Sequence, residues 1–327
     1  MSKKKMCNSG IGGQAVLEGV MMKNKEDFAV AVRKPDGEID VEVHEYHGVM
    51  HGSVLTRIPF VRGVFNFIDS LILGMRTLNH SLEFYEDEDA KETGVDRAMD
   101  SIFGSKAENV MSGITVFFSL VIAIALFMIL PYYLSQIFER YIMNASLLAI
   151  IEGVVRLIIF LAYVVAITAM KDIKRLYMYH GAEHKCINCI EHGDELTVEN
   201  VRKASRLHRR CGTSFLLFVM LVSIILFMFI RTDSQVLRIV FRLLLIPVIA
   251  GISYEILRLA GRRDNVIMRI LSAPGMLLQR LTTKEPDDDM IEVGIRSVEA
   301  VFDWRSFLKE NFGEAEEVTD TLATDEM

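Results

Sequence analysis

Residues Ser112–Leu130 read SGITVFFSLVIAIALFMIL, a stretch without a single charge inside a longer uncharged run from Asn109 to Phe138. A helix needs about 20 apolar residues to cross a hydrocarbon core of ~30 Å, and this run supplies them. Pro131 and two tyrosines follow, as expected near a membrane interface. A second apolar stretch, Tyr141–Met170, carries only Glu152 and Arg156, spaced to pair across one helical turn. The third, Gly212–Ile230, is again uncharged, and the fourth, Ile239–Leu257, contains Arg242 and Glu255. The expectation is a mainly α fold: a polytopic α-helical membrane protein with about four transmembrane helices and a small N-terminal β-hairpin region. A soluble α protein with buried helices is the alternative, and uncharged runs of this length argue against it.

Loop charges give an orientation. The first connection holds only Arg140 as a base, and the third holds Arg231 and Arg238. Between spans two and three lie Lys171, Lys174, Arg175, Lys185, Arg202, Lys203, Arg206, Arg209 and Arg210, and more bases follow span four. The positive-inside rule therefore places the central loop and both termini in the cytosol. The N-terminus, MSKKKMCNSGIGG, is basic but lacks the apolar core of a signal peptide.

Composition agrees. Of 327 residues 51% are hydrophobic, and the mean hydropathy is +0.30. The net charge of -7 argues against a nucleic-acid partner that depends on phosphate neutralisation. That charge is uneven: Glu285–Met327 holds 14 acids and 3 bases, so the remainder is weakly basic. Four cysteines in a chain this long make no disulfide framework.

The organisation expected from these patterns has four parts. Residues 1–57 form a cytosolic segment with a β-hairpin over Phe28–Val43, turning at Lys34-Pro35-Asp36-Gly37. Residues 58–110 hold an amphipathic helix, Ile58–Leu82, suited to the membrane interface or else to turning its polar stripe toward a polar cavity, with the interface favoured, and an acidic linker over Glu83–Glu92. Residues 111–260 are the four-span domain with a cytosolic His/Cys loop at 171–211. Residues 261–327 form a cytosolic segment, broken at Ala273-Pro274-Gly275 and ending in an acidic tail.

The chemistry concentrates in the central loop. His180-Gly-Ala-Glu183-His184 is an H-x-x-E-H pattern. On a helix, residues four apart share a face, so both imidazoles can hold one divalent metal ion, with zinc the expected species. Glu183 falls beside both and suits a general base acting on water, as in inverted zinc peptidases. Cys186-x-x-Cys189 follows at once, and His208 and Cys211 close the loop at the mouth of span three. In a reducing cytosol such a set points to metal or thiol chemistry. If the helix runs past His184, Cys186 and Cys189 face away from the histidines. Thr197 is a candidate N-cap for a short basic helix over Val198–Leu207. A third metal ligand would come from Glu255, His208 or Cys211, with a Glu255–Arg258 pair as the plainer account of Glu255. A purely structural zinc site of Cys and His ligands stands level with catalysis. The run His44, His47, His51 lacks carboxylate or cysteine support in the sequence and reads as exposed histidines.

Several segments are familiar: GGQAVLEGVMMK (Gly12–Lys23), YHGAEHKCIN (Tyr179–Asn188), LTVENVRK (Leu196–Lys203), CGTSF (Cys211–Phe215) and LTTKEPDDD (Leu281–Asp289). Together they resemble the YqhQ-like family of multi-pass bacterial membrane proteins, described in general terms as predicted metal-dependent enzymes. The resemblance runs from about Gly12 to Ala300 and implies a location in the bacterial plasma membrane. It also draws attention to Glu18, which composition alone would not single out.

Three functions follow as expectations. The first is a metal-dependent hydrolase at the cytosolic membrane face. The second is a non-enzymatic scaffold or assembly factor built on a structural Cys/His metal site, docking a membrane-protein partner or forming a homo-oligomer. A transporter is the weakest, since the spans hold few charges and no internal repeat is visible.

Overall fold

Four short antiparallel strands open the fold: β1 (Gly12–Val16), β2 (Gly19–Asn24), β3 (Asp27–Arg33) and β4 (Ile39–Glu45), in spatial order β1-β2-β3-β4. The computed structural model describes residues 6–85, 107–142, 144–230, 232, 234–262 and 266–313. The hairpin expected over Phe28–Val43 is thus the second half of a larger sheet, with Phe28 opposite His44 and Val32 opposite Asp40. Sequence patterning misses β1 and β2 because both sheet faces are covered, which replaces apolar/polar alternation with a nearly continuous apolar run. Val20, Met22 and Ala31 join one core cluster; Met21, Phe28, Val30 and Val32 join another.

Helix α1 (Val61–Glu83) lies over the second of these faces and places Leu73 in its core. Its polar stripe turns inward. Arg62 pairs with Glu255, Asn66 donates to the Tyr254 hydroxyl, and Asp69 accepts from the Tyr46 hydroxyl and the Val49 amide. Ile68, Leu71, Ile72 and Met75 are left exposed.

Helix α2 (Ala107–Ile124) continues through a π-helical turn, Ala125–Ile129, into α3 (Leu130–Glu139). Wide turns of this kind relieve the clash a proline imposes on the preceding carbonyls, and Pro131 stands just after it. Helix α4 (Ala145–Thr168) starts at Asn144, whose side chain accepts from the Ser146 and Leu147 amides. The long central helix is α5 (Lys171–Glu191), followed by α6 (Val198–Lys203) and α7 (Gly212–Phe227). Then come α8 (Gln235–Leu244), α9 (Ile246–Arg262), α10 (Val266–Thr282), α11 (Asp288–Val301) and α12 (Trp304–Phe312).

Among the described residues two helical stretches, Gly113–Glu139 and Ser146–Thr168, are long and apolar enough to cross a membrane. The fourth expected span is a pair, α8 and α9, bent by 41° at their junction, which makes a third if it counts as one span. The third expected span is α7, apolar but only 16 residues long. The ion pair expected between Glu152 and Arg156 is a buried triad. Glu152 accepts from Arg156 at 2.7 Å and from Arg242 at 2.6 Å, and Arg156 also donates to Ser223.

The C-terminal part departs from expectation. The break expected at Ala273-Pro274-Gly275 is absent, and α10 runs straight through Pro274. Gly275 explains the position of the helix: a Cβ there would meet the Ser214 hydroxyl at 2.5 Å, so α10 and α7 pack with their backbones close. Helix α11 buries Ile291 and Val298 against the sheet and α5 in one shared core. Described residues of the N-terminal sheet, α5, α6, α11 and α12 therefore share one core. Most of the acidic linker at Glu83–Glu92, and the chain beyond Gly313, lie outside the described residues.

Candidate functional site

Helix α5 is polar in sequence, yet every residue from Gly181 to Glu191 is buried. Its enclosure depends on two glycines. At Gly181 a Cβ would meet the Lys284 carbonyl oxygen at 2.0 Å, and at Gly13 one would meet the Met21 carbonyl at 2.6 Å and Glu183 Cγ at 2.8 Å. The site lies where the end of β1, α5 and the mouth of α7 meet.

His180 and His184 present their rings to each other at a centroid separation of 4.4 Å. His180 Nδ1 lies 3.0 Å from the Thr282 carbonyl and His184 Nδ1 lies 2.7 Å from the Arg206 carbonyl. A carbonyl only accepts, so both Nδ1 atoms carry protons and both Nε2 atoms are turned toward the cavity. Cys211 completes the group. Its Sγ lies 3.3 Å from His180 Nε2, and the ligand atoms of His180, His184 and Cys211 all fall within 4.8 Å of one another. The Glu183 carboxylate stands 3.7 Å from His180 Nε2 and 3.9 Å from His184 Nε2, beyond direct hydrogen bonding to either. A cavity of about 100 Å³ lies between them, also lined by Ile11, Ile187, His208 and Arg210.

The electrostatics favour an ionised sulfur. Burial opposes the thiolate, but the charges and hydrogen bonds of His180 and His184 outweigh it and hold Cys211 well below the usual thiol range. Cys211 is also the N-cap of α7, where its sulfur accepts from the Thr213 amide. His180 responds in kind. Burial lowers it, yet Cys211, Glu183 and the Thr282 carbonyl together bring it up to about 9.

A family model described as a protein of unknown function (DUF1385) matches residues 58–304. The chain belongs to this family. It is also 38% identical over 308 residues to the uncharacterized protein YqhQ of Bacillus subtilis (strain 168), across 91% of this chain and 93% of that one. The expected YqhQ-like kinship therefore holds over nearly the whole length. No solved structure matches the chain.

The other candidate ligands stand outside the His180–His184–Cys211 group. Helix α5 continues to Glu191, so Cys186 and Cys189 point into the apolar core it shares with α11. Burial pushes both thiols up, Cys189 to about 12, and Cys189 donates to the Glu195 carbonyl. Glu255 is clasped by both donor edges of Arg62, with Arg258 more distant at 3.9 Å. His208 borders the cavity, but its Nε2 faces Glu191 at 3.4 Å and burial lowers its affinity for a proton. The exposed His47 and His51 share Glu26, a carboxylate partner that their sequence neighbourhood does not reveal.

Sequence patterning also passes over the groups that brace the site. Glu191, fully buried, accepts from Ser9, Arg210 and His208. Burial opposes its ionisation, but the His208 hydrogen bond and the Arg210 charge bring it down to about 2. Gln279 accepts from the His208 amide and donates to the His208 carbonyl, holding that residue by its backbone. Lys185 and Asn188 tie α5 to carbonyls of the stretch Arg202–Leu207. That stretch leaves helical geometry after Lys203, so the basic helix expected to reach Leu207 is shorter. Glu18, the left-handed residue of the β1–β2 turn, is held by Arg175 and the Tyr179 hydroxyl, one turn of α5 before the histidine pair.

Proposed function

We propose that this protein is an integral membrane hydrolase that works with a divalent metal, zinc by its donor set, at the cytosolic face of the bacterial plasma membrane. The observation that carries this reading is the convergence of two imidazole Nε2 atoms and the Cys211 sulfur, with both Nδ1 atoms tied to backbone carbonyls. Carbonyl partners of this kind fix the tautomer and raise the basicity of metal-ligating histidines. Two imidazoles and a thiolate suit zinc, and three protein ligands leave a coordination position open.

When bound, the ion would polarise a substrate oxygen and bring the pKa of water toward neutrality. His180, His184 and Cys211 would hold it. Glu183 would take the proton from the attacking water and return it to the leaving group. Its burial and its stand-off from both rings leave it room for that role. Arg210, which lines the cavity while it donates to Glu191, would add positive charge beside a developing substrate anion.

The membrane part of the proposal rests on the long apolar helices and on α1. A soluble helix hides its apolar stripe, whereas α1 spends its polar stripe on the protein and exposes Leu71 and Ile72, which suits a lipid-facing surface. Four crossings are proposed: the stretches at Gly113–Glu139 and Ser146–Thr168, then α7, then the α8–α9 pair. The scaffold alternative has less support, because Cys186 and Cys189 lie apart from the histidine group.

Elemental analysis of detergent-purified protein tests the reading. One metal ion per chain is expected in the wild type and in Glu183→Gln, and its loss in His184→Ala and Cys211→Ser. Hydrolysis of a chromogenic ester and phosphoester panel should vanish in Glu183→Gln while the metal stays. A metal-free wild type, or hydrolysis unaffected by Glu183→Gln, would overturn it.

A further inference from the structure

We infer that the groove beside His180 binds an anionic lipid of the phosphate-headed class, with its apolar chain in the groove and its head next to the histidine–cysteine group. For the chemistry done on that lipid the inference rests on the hydrolase reading; for binding it stands alone. The groove has a volume of about 800 Å³ and shares Gly12, Gly13, His180, Arg210 and Gly212 with the small cavity, so the two adjoin along a common wall. Sites of this size hold molecules well beyond a water or a simple ion.

Two features select the occupant. The long walls are apolar, formed by Phe67, Leu73, Leu176, Phe215, Leu216 and Leu257. Leu216 is itself 43% exposed, and the same helix α1 that supplies Phe67 presents Ile68 and Leu71 to the outside. The groove is therefore bordered by the surface that would meet lipid. Among the described residues the fully charged side chains that line it, Lys23, Lys25 and Arg210, are all basic, and no Asp or Glu joins them. Arg210 is paired with Glu191, but among the described residues neither lysine has a carboxylate within ion-pair distance. Asp69, Glu26 and Asp27 lie near Lys23 without lining the groove, and Asp69 is occupied by Tyr46 and Val49. Lys23 Nζ instead sits 5.1 Å above the Tyr46 ring. Gly12, which lines both cavities, pairs with Lys23 across β1 and β2, so the lysine that lines the groove stands one strand away from the shared wall. An apolar channel lined at one side by two lysines complements an acidic head on an apolar tail.

The test uses full-length protein in dodecylmaltoside and native mass spectrometry with dioleoylphosphatidate, dioleoylphosphatidylcholine or soluble glycerol 3-phosphate. Binding of phosphatidate at least tenfold tighter than phosphatidylcholine is expected, with glycerol 3-phosphate a poor competitor. Lys23→Gln with Lys25→Gln should abolish the preference while leaving residual binding of both lipids. Gly212→Phe should weaken both lipids: Gly212 lines the groove, and a Cβ there meets no atom within 4 Å. Equal binding of the two lipids, full competition by glycerol 3-phosphate, or a preference indifferent to the lysines would overturn the inference. Metal content measured on the same samples separates the two readings. A metal-free protein that keeps the lipid preference retains the groove and loses the hydrolase, whereas a metal-loaded protein without the preference does the reverse.

Discussion

At the scale of single residues, the site is held by backbone. His180 is tethered to Thr282 and His184 to Arg206, while Gln279 clasps both backbone groups of His208. Gln279→Leu would leave a buried amide and carbonyl without partners, at a cost of about 1–3 kcal/mol each. A fall in thermal stability in detergent, with the Leu variant no better than Ala, is the expected outcome. Glu191 makes a pH prediction. Its native value of about 2 lies below the unfolded value of 4.5, so its stabilisation is fully present above pH 4.5 and is lost as pH falls toward 2. The shift corresponds to about 3 kcal/mol. Glu191→Gln should flatten the dependence of stability on pH across that window, as measured by unfolding at stepped pH. The H-x-x-E-H pattern was legible because i, i+4 spacing fixes a shared face before any tertiary contact exists. The bracing groups were not, since Gln279 and Glu191 acquire meaning only from residues brought in by other elements.

At the scale of elements, long uncharged runs and the amphipathic stripe of α1 could be read directly, because each is set by local periodicity. Strands β1 and β2 could not, since cover on both faces erases alternation. Nor could the passage of α10 through Pro274, where close contact between Gly275 and Ser214 holds a helix that the proline alone would interrupt. The charged triad joins elements in a way sequence half revealed: Glu152 and Arg156 are a legible pair on α4, while Arg242 arrives from α8 and Ser223 from α7. Removing the shared carboxylate by Glu152→Gln leaves two buried guanidinium groups uncompensated. A loss of about 3–5 kcal/mol is expected, read as a lower unfolding temperature of the purified protein. A double variant that also replaces Arg242 by Met should recover part of it.

At the scale of the whole molecule, the proposed topology puts the sheet, α5, α11 and the candidate site on one side of the bilayer. A fluorescent reporter that matures only in the cytosol should glow when fused after Gly313. A reporter active only outside the cytoplasm should work when inserted between α3 and α4, and the opposite pattern would invert the assignment. The two imidazoles stand on α5, but the sulfur caps α7, and the carbonyl that steadies His180 is the end of α10. During synthesis the histidines emerge from the ribosome well before Cys211 and Thr282. A nascent chain would hold an ion weakly until α7 and α10 are seated. On the proposed chemistry, metal capture would then mark finished biogenesis, and a half-inserted chain would be released inactive, unable to cut the lipids around it.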